Sequence, residues 1–237
     1  MSEKYKTTES IVAFIDVLGS TEAIMSDADK SLQMMHDAYS EAIELFQSLF
    51  DKRKRIKPRV KIFSDNIVVS VSREGESGHG AFLAIAMISA IIQVQFLKHD
   101  YLTRGGIASG SFFVDDMMVW GTALVKAHNL ENDLALYPRI IIDPNLIGDL
   151  KLADPKCSFG RCKEWIEQDA DSVFMVNYLN KYLLNKEIFI IQMMGLAEDN
   201  IVKYNSENKM KACQKWLWFS NHIKGKLIAD DEEPSEK

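Results

Sequence analysis

The sequence feature that most constrains the fold is one carboxylate inside an apolar, strand-forming run. Residues 11–21 read IVAFIDVLGST, so Asp16 interrupts a segment that otherwise has the composition of a buried strand. An unpaired charge in such a place costs several kcal/mol or forces the group to bind a proton. The segment therefore predicts a strand whose Asp16 side chain meets a cation.

A second aspartate stands at a similar break in the chain. Residues 60–71 read VKIFSDNIVVSV, and Asp65 lies in a turn between two β-branched runs, which is typical of a hairpin. Two carboxylates with few further ligands suit Mg²⁺ or Mn²⁺, because these ions keep bound water and take other ligands from substrate phosphates. The alternative is that both aspartates only form turns.

Charge and cysteine usage argue against several other kinds of site. The net charge of -6 argues against a nucleic-acid-binding surface. Three cysteines and no signal sequence before the first strand fit a reducing cytoplasm. Cys157 and Cys162 are spaced too widely for a usual zinc knuckle. The apolar segment 81–97 contains two glutamines, which favours a helix buried on a sheet over a membrane span.

Hydrophobic periodicity predicts the order strand, helix, two strands, helix, strand, then a further helix and strand. The first six elements form a ferredoxin-like pattern, so the predicted fold class is α+β, an antiparallel sheet with helices on one face and a C-terminal helical extension. Strands are predicted at residues 11–16, 60–63, 67–71, 102–114, 139–142 and 172–178, and helices at 32–50, 81–98, 187–194 and 209–228, with one more after residue 121.

The predicted organisation is one domain with a flexible segment at each terminus. It comprises a flexible N-terminus at 1–9, a domain at 10–200, a packed C-terminal helix at 201–229 and a disordered acidic tail at 230–237. On the strand at 102–114, two glycines follow Arg104, a place where a backbone or a ligand can approach closely.

Four short motifs occur in a fixed order: FIDVLGST at 14–21, FSDN at 63–66, RGGIASG at 104–110 and VWG at 119–121. In this order and spacing the chain resembles the class III nucleotidyl cyclases over most of residues 10–142. A smaller group is more similar still: the compact pyrimidine cyclases of the bacterial Pycsar anti-phage systems. That likeness is carried by the FIDxLG opening and by the segments WGTALVKAHNLEN, YPRIIID and DSVFMVNYL.

The resemblance implies a metal and phosphate site. Asp16 and Asp65 would bind two divalent cations, Mn²⁺ or Mg²⁺, with the backbone carbonyl of Val17 as a further ligand. Arg104 would pair with the triphosphate. The turn from Leu18 through Gly19, Ser20 and Thr21 would cradle the β- and γ-phosphates with backbone N–H groups. The positions assigned to nucleotide binding are Phe14, Leu18, Gly19, Ser20, Thr21, Lys61 and Met118.

The sequence differs from the purine cyclases at positions that would contact the base of the nucleotide. Lys61 stands where those enzymes place a base-reading lysine, but Met118 replaces their usual polar base reader. Val125 and Asn129 stand where their transition-state asparagine and arginine would be. Asn129 completes the catalytic candidates, which are Asp16, Asp65, Arg104 and Asn129.

The implied reaction is attack of a ribose 3′-OH on the α-phosphorus of a nucleoside triphosphate, giving a cyclic 3′,5′-nucleotide and pyrophosphate. The resemblance also implies a homodimer with shared sites, and a product that acts on a separate effector, with no nucleic-acid or membrane partner. Three interpretations stay open: a cyclase for UTP or CTP, a purine cyclase favoured by Lys61, and a silent nucleotide-binding pseudo-cyclase. Retention of both aspartates counts against the third.

Overall fold

The computed structural model of the protein describes residues 5–49, 56–74, 78–151, 160–180, 183 and 186–231. Cys157, the first residues of the predicted N-terminus and most of the predicted acidic tail lie outside this described part. The chain divides into two compact units, Met1–Tyr178 and Leu179–Lys237. The first unit contains the whole sheet, and the second contains two helices.

Eight strands and six helices make up the described part of the first unit. The strands are β1 (Thr8–Leu18), β2 (Arg59–Phe63), β3 (Asn66–Ser72), β4 (Leu102–Val114), β5 (Val119–Trp120), β6 (Ile140–Ile142), β7 (Ile166–Gln168) and β8 (Phe174–Val176). The helices are α1 (Ser20–Ser26), α2 (Ala28–Leu49), α3 (Gly78–Lys98), α4 (Thr122–Leu134), α5 (Pro144–Asp149) and α6 (Gly160–Lys163).

The strands form one mixed sheet in the order β2-β3-β1-β4-β6-β8-β7, with β5 paired to β4. Strands β1 to β4 pair in antiparallel fashion, which confirms the predicted α+β fold with its ferredoxin-like core. Strand β6 differs, because it pairs with β4 in parallel after the crossover through α4. Residues 8–9, predicted as flexible, belong to β1.

Both faces of the central sheet are covered. Val12 and Phe14 of β1 belong to a buried cluster that includes Ala123 and Ala127 of α4. Their strand neighbours Ile11, Ala13 and Ile15 are fully buried as well, and alternation along the strand places them on the opposite face, where α3 contacts β1. The prediction of helices on one face therefore holds for the first six elements, while α4 adds a layer on the other face.

Helix α3 is long and apolar enough to cross a membrane, but 83% of its most apolar window is buried inside the protein. Gln93 and Gln95 are buried along with the apolar residues. The prediction of a helix packed in the core is confirmed.

A buried arginine ties the last hairpin to the sheet. Arg139, directly before β6, is 4% exposed, and its Nη2 lies 2.6 Å from Oδ2 of Asp171, while its Nη1 donates to Asp169. The hydrogen bond from Arg139 lowers the pKa of Asp171 below its ordinary value. The sequence analysis predicted a strand at 172–178 but missed β7, because three residues are too few to show alternation.

The second unit is a pair of helices, α7 (Lys186–Ser206) and α8 (Met210–Asp231), that pack against each other. Trp216 and Phe219 of α8 meet edge to face with ring centroids 5.8 Å apart. Helix α7 is longer than the predicted segment 187–194, and the predicted boundary after residue 200 falls inside it. The predicted division into domains stays a prediction.

Candidate active site

A row of paired residues crosses the sheet near the end of β1. Phe63 of β2 is opposite Asn66 of β3, Asn66 is opposite Asp16, and Asp16 is opposite Arg104 of β4. Directly paired side chains on neighbouring strands point to the same face of a sheet. Asp16 therefore lies between an amide and a guanidinium, on the face that also carries Phe14.

Asp65 lies in the turn between β2 and β3 and is fixed from three sides. Its backbone carbonyl accepts a hydrogen bond from the N–H of Val17, 3.2 Å away, which ties the turn to the residue after Asp16. One side-chain oxygen accepts from Asn66 Nδ2 at 3.1 Å, and the other accepts from the hydroxyl of Ser20. Each carboxylate oxygen still has lone-pair capacity for a metal ion.

The turn from β1 into α1 depends on Gly19, whose φ of 84° lies in the left-handed region that favours glycine. This sharp turn brings Ser20, which is 2% exposed, to the carboxylate of Asp65. The hydroxyl of Ser20 thus donates to Asp65, and the phosphate contact of its backbone N–H stays a prediction. Leu18 and Thr21 flank this turn, and Thr21 is exposed.

Arg104 is the cation that the apolar β1 segment requires. Its Nε lies 3.1 Å from Oδ2 of Asp16, and its Nη2 lies 2.6 Å from Oε1 of Glu131 on α4. Its Nη1 donates to the carbonyl of Ala135 at 3.4 Å. In this structure the guanidinium therefore bridges β1 and the end of α4.

Sequence reasoning missed Glu131, although a signal was present. Glu131 follows Ala127 by four residues, so it belongs to the buried stripe of α4 that begins at Ala123. A carboxylate on such a stripe requires a positive partner. Like Asp16, Glu131 is an acid in an otherwise apolar pattern, and this predicts a cationic partner for it.

The two glycines after Arg104 admit two different backbones, Gly106 that of α4 and Gly105 that of β1. A Cβ at Gly106 would lie 2.2 Å from the carbonyl oxygen of Ala127, and one at Gly105 would lie 2.4 Å from the carbonyl oxygen of Phe14. These positions admit a neighbouring backbone, one of the two predicted alternatives. Because α4 packs closely on β4, Glu131 of α4 lies next to Arg104 of β4.

The predicted base-reading positions gather at the corner between β4 and β5. Lys61 Nζ lies 3.7 Å from Oδ1 of Asp116 in that corner, and Met118 beside it is half exposed. Oδ1 of Asp115 accepts hydrogen bonds from the backbone N–H groups of Met117 and Met118 and so shapes the corner.

The other predicted positions lie on or under α4. Asn129 and Val125 are exposed on this helix. Phe14 is only 7% exposed, and its ring packs against His128 with centroids 5.0 Å apart. The nucleotide-binding roles of Phe14 and Asn129 stay predictions.

The donor set fits a hard divalent cation. Among the described residues no three His, Cys, Asp or Glu side chains form a closed metal cage. Asp16 and Asp65 instead supply two carboxylates joined through Val17, and Mg²⁺ and Mn²⁺ complete such sites with water and substrate phosphate. Three carboxylates, of Asp16, Asp65 and Glu131, accompany one guanidinium, so negative charge is in excess.

Solved structures similar to this chain include nucleotidyl cyclases. The adenylyl cyclase CyaB from P. aeruginosa aligns with a TM-score of 0.50 at 15% identity, over 73% of this chain and 95% of that chain. The guanylyl cyclase domain of the RhoGC fusion protein from the aquatic fungus Blastocladiella emersonii gives 0.48 at 14% identity, over 73% and 96%. The guanylyl cyclase Cya2 gives 0.48 at 9% identity, over 73% and 92%.

No protein-family model matches the sequence, and no curated protein matches it significantly. At these low identities the structural likeness shows the fold alone. The first unit of the chain therefore has the class III nucleotidyl cyclase fold.

Proposed function

We propose that the protein is a nucleotidyl cyclase, a phosphorus–oxygen lyase that converts UTP or CTP to the cyclic 3′,5′-nucleotide and pyrophosphate. The observation that carries this proposal is the placement of Asp16 and Asp65 side by side on a class III cyclase fold. Arg104 at the same end of the sheet supplies a cation for the triphosphate.

In the proposed reaction, each residue at this end of the sheet has a separate role. Asp16, Asp65 and the carbonyl of Val17 would hold two divalent cations, Mn²⁺ or Mg²⁺. When bound, such ions activate the 3′-hydroxyl and neutralise the leaving pyrophosphate. Ser20 and Asn66 orient the carboxylate of Asp65, and Arg104 binds a triphosphate oxygen. Backbone N–H groups from Leu18 to Thr21 hold the β- and γ-phosphates.

The reaction forms one bond and breaks one. The ribose 3′-oxygen gives up its proton to solvent and attacks the α-phosphorus, and the bond from that phosphorus to the bridging oxygen breaks, so that pyrophosphate leaves with the bonding electrons. Holding the 3′-oxygen in line with the leaving group supplies most of the rate, since phosphoryl transfer needs positioning and charge stabilisation more than covalent chemistry.

A pyrimidine substrate is supported by Met118 and by the likeness to the Pycsar cyclases. Met118 offers an apolar side chain where purine cyclases carry a polar reader, so the purine contact is lost. That likeness also supports a cytoplasmic role in anti-phage defence, in which the product acts on a separate effector. The purine alternative rests on Lys61, which lies at the same corner.

The base preference is tested by the four nucleoside triphosphates, each assayed separately with Mn²⁺ for kcat/KM. We expect one pyrimidine to exceed both purines by at least about 100-fold, because a site built for one base leaves polar groups unpaired with the wrong one. A preference for ATP or GTP would favour the purine alternative. Binding without turnover of any of the four would favour the pseudo-cyclase.

A homodimer with shared sites is part of the proposal. Large apolar side chains are exposed on β2 and at the corner between β4 and β5: Ile62, Phe63, Met117, Met118 and Trp120. The corner lies against β2, because Arg59 donates to the carbonyl of Val114 at 3.0 Å.

The dimer is tested with Trp120→Glu, since Trp120 is 66% exposed in a single chain. We expect the variant to sediment as a monomer and to lose activity at least about 100-fold, because a buried unpaired carboxylate opposes association. Leu32→Glu on α2, at a residue that is 68% exposed, is the matched control and should stay dimeric. A Trp120→Glu protein that remains dimeric and active would rule out this interface.

A further inference from the structure

Glu131 is a buried carboxylate to which the proposed mechanism gives no part. It is 4% exposed on α4, and its Oε1 lies 2.6 Å from Nη2 of Arg104. A buried ion pair of this kind contributes little net stability compared with apolar residues of similar size, but it fixes the geometry of its members.

Arg104 is held between two acids of different kinds. Asp16 takes the Nε hydrogen and is only partly buried, with 20% of its side chain exposed, whereas the buried Glu131 forms an ion pair with Nη2 from within the protein. The carbonyl of Ala135, at the C-terminal end of α4 where a cation is favoured, lies 3.4 Å from Nη1. Helix α4 therefore supplies two of these three contacts.

We propose that Glu131 is a positioning residue that keeps Arg104 directed at the triphosphate when a divalent cation occupies Asp16. This inference rests on the proposed function. A cation on Asp16 competes for the oxygen that Nε contacts, and an arginine without a second anchor would then be free to leave the site. Glu131 and Ala135 hold the guanidinium in place.

The donors of Arg104 are sufficient for this role. A guanidinium has five N–H donors, and the contacts with Asp16, Glu131 and Ala135 engage one each. When Asp16 binds a metal ion instead, the Nε hydrogen of Arg104 becomes available in addition to the two N–H donors that these contacts do not use. A phosphate group can then bind to Arg104 while α4 still holds it.

The test uses inorganic tripolyphosphate with Mn²⁺, because this probe contains no base and needs no turnover. Its Kd is measured by calorimetry for the wild type, Glu131→Gln, Arg104→Ala and the double variant. We expect Glu131→Gln to weaken binding about tenfold, the usual effect of losing an outer-shell partner. In the Arg104→Ala background the same change should cause no weakening, since the residue that Glu131 positions is gone.

The direction of the change separates positioning from simple charge. If only charge mattered, removing the negative charge of Glu131 would strengthen the binding of the tripolyphosphate anion. Weaker binding in Glu131→Gln is the opposite result, and it indicates positioning. Asp133→Asn is the matched control, because it removes one exposed carboxylate from the same helix, and its Kd should equal that of the wild type. Glu131→Asp, which keeps the charge on a shorter side chain, should give an intermediate Kd.

Thermal unfolding of every variant accompanies the titrations. A Glu131→Gln protein that is less stable but binds tripolyphosphate as tightly as the wild type would overturn the inference, as would equal weakening with and without Arg104. A wild type that binds no tripolyphosphate would overturn it as well. If the wild type binds the probe and Glu131→Gln behaves as expected but no cyclic nucleotide forms, the proposed function fails and the inference stands.

Discussion

Asp65→Asn is expected to abolish cyclic nucleotide formation, with kcat lower by at least about 10³-fold, because the metal-bound state supplies several kcal/mol of charge stabilisation and each 1.4 kcal/mol is worth a factor of ten. Asparagine keeps the shape and can still accept from Ser20, but it lacks the charge that binds a divalent cation. The same decrease in kcat is expected for Asp16→Asn. The measurement is the rate of product formation at saturating triphosphate and Mn²⁺.

The control for these two variants is Asp149→Asn, which removes an exposed carboxylate from α5 and should leave kcat unchanged. The unfolding temperature should show that both active-site variants remain folded, since Arg104 keeps its partner Glu131 in each of them. Activity within tenfold of the wild type in either variant would remove that aspartate from the metal site.

Gly106→Ala is expected to lower the free energy of unfolding by about 3 kcal/mol, at the upper end for overpacking. The added Cβ would lie 2.2 Å from the carbonyl oxygen of Ala127 and 2.6 Å from Cβ of Leu130, so α4 must move away from β4. The displacement would also draw Glu131 away from Arg104. Urea denaturation measures the loss.

Gly148→Ala in α5 is the matched control, because a Cβ at that position meets nothing within 4 Å. Alanine is the better helix former, so this variant should be slightly more stable, by about 0.5 kcal/mol. If Gly106→Ala unfolds within 0.5 kcal/mol of the wild type, the tight packing of α4 on β4 is not required for stability.

The central part of the fold could be predicted because its signals are local, while the metal site stays a prediction. The acid in the apolar run around Asp16 stands out within a few residues, although β1 continues past it to Leu18, and Asp65 marks the turn between β2 and β3. The predicted bounds of the strand at 102–114 agree with those of β4. Arg104 next to two glycines indicated a close approach, although not which backbone would make it.

The rest depended on contacts between residues far apart in sequence. The ion pair of Arg104 with Glu131 joins residues that no short pattern connects, and it requires α4 to lie on the face opposite α3. Strand β7 pairs with β8, and Arg139 holds Asp169 and Asp171 in the turn between these two strands. Such elements are specified by tertiary contacts rather than by local propensity.

The central claim, that this chain makes a cyclic nucleotide at Asp16 and Asp65, is tested most directly by a product balance. Purified wild type is incubated with all four nucleoside triphosphates and Mn²⁺, and products are identified by mass spectrometry and pyrophosphate release. The account predicts a cyclic 3′,5′-pyrimidine nucleotide and pyrophosphate in equal amounts, both absent with Asp16→Asn. Nucleoside diphosphate and phosphate in place of the cyclic product, or cyclic product that persists in Asp16→Asn, would contradict it.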